Sequence, residues 1–141
     1  HNGGSIINVS SPSGYKGYVE ESLYCTSKHG LEGFSKTIAM EFAHHNIAVN
    51  IVTPGGFSSK VRIKPTSITQ FEFDNYSEEE KKKWSDPISF TEAFVLLGLQ
   101  RADGITGERI AAFELSERIR NNGWDITVND LCYSEKGFSK Y

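Results

Sequence analysis

The chain has 141 residues, 38% of them hydrophobic and 23% charged, with a formal net charge of −3. That length suits one domain and is short for two. The charge balance lacks the basic cluster of a nucleic-acid binder, and the apolar runs are too short to span a membrane.

Two cysteines, Cys25 and Cys132, show neither metal-ligand spacing nor a disulfide framework, and His1-Asn2-Gly3-Gly4 does not read as a secretory signal. No metal site is expected, and the setting implied is reducing and cytoplasmic. Asn8-Val9-Ser10 and Asn75-Tyr76-Ser77 match the glycosylation triplet, but the first falls within a strand pattern and both read as chance matches.

Ser5 to Ser10 is a short apolar, β-branched run after a glycine pair and predicts a buried strand, broken by Ser11-Pro12-Ser13-Gly14. A loop bearing Tyr15, Gly17 and Tyr18 leads to a long helix from about Tyr24 to His44. Ser27, Leu31, Phe34, Ile38 and Phe42 are expected to form its sheet-facing stripe. His44 and His45, adjacent at its end, are expected to point apart and to complement the helix dipole. Ile47 to Thr53 is a second strand, ended by Pro54-Gly55-Gly56.

The strand, helix, strand order predicts a parallel α/β unit. Ligands in such sheets bind beyond the carboxyl ends of the strands. Ser11 and Pro54-Gly55 each follow a strand directly, so both belong at that rim.

From about 57 to 86 the periodicity loosens, with Phe71, Phe73, Tyr76 and Trp84 among polar residues; this reads as a lid or specificity segment. Within it, Ser77 and Glu80 fit a capping box. Glu78 to Lys82 and Glu79 to Lys83 predict helical ion pairs on a solvated face. Asp86-Pro87 opens a helix to about Leu99. Gly104-Ile105-Thr106-Gly107 turns the chain into a third strand at Glu108 to Ala112, and Glu114 to Arg120 is a short helix. Residues 1–120 therefore form the structured region, and 121–141 a tail without clear period.

Tyr24 and Lys28 carry the chemistry. Four residues apart on a helix they share a face. A lysine ammonium beside a phenol favours the phenolate, so the expected effect is a lowered Tyr24 pKa and a group able to give and take a proton. Cys25 has no histidine placed to activate it and reads as a packing residue.

Ser10-Ser11 at a strand end, Tyr24 thirteen residues after Ser11, Lys28 four later, Asn50-x-x-x-Pro54-Gly55 and Gly104-Ile105-Thr106-Gly107-Glu108 occur in order. Together they resemble the classical short-chain dehydrogenase/reductase family, over about Gly4 to Glu108. The resemblance implies an NAD(P)-dependent oxidoreductase acting on a small alcohol or carbonyl substrate. Tyr24 would be its acid/base. Lys28 would bind the nicotinamide ribose and lower the tyrosine pKa, and Ser11 would orient the substrate oxygen. Pro54, Gly55, Phe57 and Ser59, with Tyr24 and Lys28, would contact the cofactor. A homo-oligomer is implied for the full-length protein.

The same resemblance implies a Rossmann-like, doubly wound parallel sheet of which this is the C-terminal half. The glycine-rich cofactor turn and the residue that separates NAD from NADP are not found in this sequence. The expectation is that these residues alone bind no dinucleotide usefully, and that Ser5 to Ser10 forms an apolar edge. Two alternatives stay open: a truncated, non-catalytic remnant acting as an interaction module, and an extended relative acting on nucleotide sugars, against which Pro54-Gly55 argues. After Ile110 the run into Phe113-Glu114 departs from the family's usual ending and puts the last strand in doubt.

Overall fold

Residues 2–54, 62–63 and 69–128 are described by a computed structural model. Its centre is strand β2 (Ile47–Thr53), apolar except at Asn50 and Thr53 and buried from Ala48 onward. Burial on both sides is what a central parallel strand requires. Strand β1 (Gly4–Val9) lies parallel to β2 with Val9 opposite Val52. On the other side β5 (Arg109–Ala111) runs parallel to β2, giving the order β1-β2-β5. The doubtful last strand therefore forms. It stops at Ala111 because Ala112 begins a helix, α5 (Ala112–Asn122).

Helices cover both faces. Helix α1 (Ser22–Glu41) packs Ile38 and Ala39 on Val49, while α4 (Thr91–Gly98) and α5 bury Ala93, Leu96, Leu97, Leu115 and Ile119 against Val52 and Ile110 on the opposite face. Alternation along β2 divides the two cores, since successive residues of a strand point to opposite faces. Each fully buried aliphatic side chain contributes roughly 1.5 to 3 kcal/mol relative to exposure.

Asn50, on β2, is wholly buried and hydrogen-bonded at both ends. Its Nδ2 donates to the Ile105 carbonyl at 2.7 Å, and its Oδ1 accepts from Glu108 N–H at 3.2 Å. It thereby fixes the turn into β5, where Gly107 takes φ +74, a conformation glycine adopts without steric cost.

Several expectations need correction. Strand β1 is half-buried, with Val9 44% exposed, because no strand among the described residues pairs with its outer edge; this is the open apolar edge anticipated. The buried face of α1 is rotated by roughly a quarter turn from the expected stripe. Ser27 and Phe34 are exposed and Leu31 is half-buried, whereas Cys25, Glu32, Ser35, Ile38 and Ala39 are buried. The cause is tertiary: Asn8 Nδ2 donates to Ser35 Oγ at 2.8 Å and Arg109 pairs with Glu32, drawing polar residues inward. His44 and His45 do not point apart. They occupy a 3-10 turn (Ala43–His45) closed by left-handed Asn46, and their ring centroids lie 3.8 Å apart.

The segment before α4 is built from short pieces. Strands β3 (Arg62–Ile63) and β4 (Trp84–Ser85) form a two-residue parallel pair. Helix α2 (Gln70–Asp74) is capped by Thr69 with Glu72, and α3 (Glu78–Lys81) by Ser77 with Glu80. The second capping box was expected; the first was not. Because α3 ends at Lys81, the ion pair formed is Lys81 to Glu78 at 3.0 Å rather than the longer-spaced pairs. Asp86 caps a 3-10 turn (Pro87–Phe90) that leads into α4.

Candidate active site

Register places the site. With Val9 opposite Val52 and Ser10 N–H bonded to the Val52 carbonyl, Ser11 and Pro54 emerge at one rim of the sheet. Helix α1 begins beside the same rim and carries Tyr24 and Lys28 in its first two turns.

Ser11 is held tightly. It caps the 3-10 turn Pro12–Gly14: Ser13 N–H donates to Ser11 Oγ at 3.2 Å. Ser11 Oγ donates in turn to Ser13 Oγ at 3.4 Å, and Ser13 Oγ to the Glu21 carboxylate at 2.8 Å. The Ser11 carbonyl accepts from Gly14 N–H at 2.9 Å and from Arg109 Nη2 at 3.0 Å.

Lys28 reaches the rim across the strand end, where its ammonium donates to the Val9 carbonyl at 2.9 Å. The same ammonium lies 5.6 Å from the centroid of the Tyr24 ring, close enough for the ring to feel its charge. Tyr24 itself is 46% exposed, so its phenol is open to a bound molecule. Cys25, between them, is buried with its thiol toward the Lys16 carbonyl, the packing role expected.

Pro54 is half-buried at the end of β2. Gly55, Phe57 and Ser59, the other expected cofactor contacts, lie outside the described residues. Two buried hydroxyls at the rim, Ser10 Oγ and Thr53 Oγ1, have no hydrogen-bond partner.

Sequence reasoning missed Glu32 and Arg109. Their side chains are 7% and 6% exposed and form an ion pair of 2.8 Å, from which Arg109 reaches Ser11. The signal was an arginine opening an otherwise apolar strand, Arg109-Ile110-Ala111.

The family model described as short chain dehydrogenase matches residues 1–67. Carbonyl reductase family member 4 of Xenopus laevis is 55% identical over 53 residues, 38% of this chain and 22% of that protein. Short chain dehydrogenase/reductase astE of Aspergillus oryzae is 32% identical over 115 residues, 77% of this chain and 42% of that protein. Among solved structures, 4-hydroxyisoleucine dehydrogenase complexed with NADH is 30% identical with a TM-score of 0.53, covering 76% of this chain and 43% of its own. ElxO with NADP bound is 27% identical with a TM-score of 0.58, covering 77% and 44%. The chain thus spans less than half the length of these proteins.

Proposed function

This chain belongs to the short-chain dehydrogenase family, and we propose that it supplies the catalytic half of an NAD(P)-dependent oxidoreductase for small alcohols or carbonyls. One observation carries the reading: the Lys28 ammonium, bonded to the end of β1, stands beside the exposed Tyr24 ring at the rim where Ser11 emerges.

Reduction of a carbonyl builds negative charge on its oxygen. Tyr24 offers a hydroxyl donor to that oxygen, and Ser11 offers a second when its proton turns from Ser13 Oγ to the substrate, as an oxyanion hole does. Tyr24 gives up its proton as the charge develops and recovers one afterwards. Lys28 sets a positive charge next to the ring that becomes negative. A nicotinamide, when bound, supplies the hydride.

Lys28 and Tyr24 would hold its ribose, and Pro54, Gly55, Phe57 and Ser59 would line its ring. The relatives with NADH and with NADP support a nicotinamide cofactor without preferring either. The residues present fit the nicotinamide end of such a molecule, and the glycine-rich turn for its phosphates is not found in this sequence.

Substrate selection is assigned to residues from about 57 to 86, where the described part carries short self-capped helices and an exposed Phe71. The apolar side chains of Leu23 and Phe34, exposed on one face of α1, support a homo-oligomer. No helix among the described residues is long and apolar enough to cross a membrane. The free thiol of Cys25 suits a cytoplasmic setting.

The test is turnover of reduced nicotinamide against a panel of ketones and aldehydes, by this chain joined to its cofactor-binding portion. Turnover that is lost in Tyr24→Phe is expected; undiminished turnover in that variant sinks the assignment.

A further inference from the structure

Arg109 and Glu32 are the most deeply placed charges of the rim, and the proposed chemistry uses neither. Arg109 opens β5 and Glu32 lies in the middle of α1, 77 residues away in sequence. Arg109 Nε donates to Glu32 Oε1 at 2.8 Å while Nη2 donates to the Ser11 carbonyl at 3.0 Å. The guanidinium carbon also lies 4.3 Å from the Tyr15 ring centroid. One planar fork therefore ties β5, α1 and the loop that carries Ser11.

The loop is shaped to receive this pair. A Cβ on Gly14 would come within 2.8 Å of Glu32 Oε1 and 2.6 Å of Ser10 Oγ, so a larger residue there would force the Glu32 or Ser10 side chain to shift. Stability alone is a weak reason for such a pair, because well-packed apolar residues often replace a buried ion pair without loss. What apolar residues cannot do is donate a directed hydrogen bond to the Ser11 carbonyl. A lysine, with one compact ammonium, cannot reproduce the fork that reaches two acceptors in different directions.

We propose that Arg109, seated by Glu32, is a positioning residue that fixes the Ser11 backbone and thereby aims its hydroxyl at the substrate oxygen. The proposal rests on the dehydrogenase reading above. Ser11 is then anchored twice. Its side chain runs through Ser13 to Glu21, and its carbonyl runs through Arg109 to Glu32.

The experiment is a double-mutant cycle on the complete enzyme, with amide hydrogen exchange measured in parallel. Arg109→Met is expected to lower kcat roughly tenfold or more, as small misplacements of catalytic groups do. KM for the reduced nicotinamide should stay unchanged. Arg109→Lys should not rescue it. In a Ser11→Ala background the same substitution should change kcat less than about twofold, since its only route to the reaction is already gone. Equal losses in both backgrounds, or rescue by lysine, overturn the proposal.

Glu32→Leu with Arg109→Met is expected to keep the space filled and the fold intact, and carries the same expectation for kcat if the single variant unfolds. Exchange should accelerate at Gly14, Tyr15 and Lys16, whose amides bond to Ser11 and Pro12 carbonyls, and not along β2. Unchanged exchange at these amides overturns the clamp. If the unsubstituted enzyme turns over no carbonyl, the dehydrogenase reading fails and the exchange result still decides whether Arg109 holds the loop.

Discussion

The two sides of the site are built in opposite ways. Ser11 sits in a lattice of hydrogen bonds that ends in carboxylates at Glu21 and Glu32. Tyr24, by contrast, stands half-exposed, with the Lys28 ammonium 5.6 Å from its ring centroid. The serine is pre-organised by the chain's own fold, whereas the tyrosine is left open on the side where a ligand arrives. A donor that must be aimed benefits from rigidity, and a group that exchanges protons must be reachable. Substitutions on the serine side should therefore disturb structure and rate together, and substitutions on the tyrosine side should disturb rate alone.

Tyr24→Phe is the sharpest break. It should lower kcat by up to ~10⁴-fold, the upper range for a lost acid/base group. An exposed ring of the same shape is kept, so the unfolding free energy should move by no more than about 0.5 kcal/mol. Urea titration beside steady-state kinetics separates the two effects. A large loss of stability in this variant would erase the contrast between the two sides.

Glu32→Gln tests the opposite side. It leaves the buried Arg109 charge without its counter-ion, and removing one partner of such a pair costs about 3 to 5 kcal/mol. The midpoint of denaturant unfolding should fall accordingly. Glu32→Leu combined with Arg109→Met should recover most of it, which would show that burial rather than the pair itself is the demanding term.

Ser11→Ala should fall between the two in character. Loss of one directed donor to a developing oxyanion lowers kcat by about 10²-fold, and the cap on the Pro12–Gly14 turn goes with it. Faster amide exchange confined to Ser13 through Lys16 would mark that second effect. If the rate loss came with no local loosening, the serine would be less tied to its loop than the hydrogen bonds imply.

How much of this could be read from residues alone differs by level. Strand β2 was legible because a short run rich in β-branched residues and ended by Pro54 has few other solutions. The rim was legible for the same reason, since strand ends locate it. The face of α1 was not. Leu31 and Phe34 outweigh Glu32 and Ser35 in any apolar count, yet the latter are buried because Arg109 and Asn8 await them. A partner 77 residues away is invisible to periodicity. Thr69 with Glu72 was within reach, for it repeats the Thr/Ser-x-x-Glu spacing recognised at Ser77. The close histidine pair was not, because it depends on a 3-10 turn closed by Asn46 in left-handed geometry.

The smallest expected effect extends the contrast from buried to exposed carboxylates. Glu72 sits below the ordinary glutamate pKa because it accepts from the Thr69 backbone N–H first and the Thr69 hydroxyl second, and Glu80 does the same at Ser77. Each carboxylate is bonded in its charged form in the folded state. Its contribution is therefore complete above the unfolded glutamate value of about 4.3 and is lost as pH falls through the lower folded value. Amide exchange at Thr69 and Ser77 should accelerate over that acid window, while Glu72→Gln and Glu80→Gln should blunt the pH response at their own helix only. A pH response that spread beyond residues 69–82 would mean that these short helices are coupled to the sheet, and not closed units sustained by their own caps.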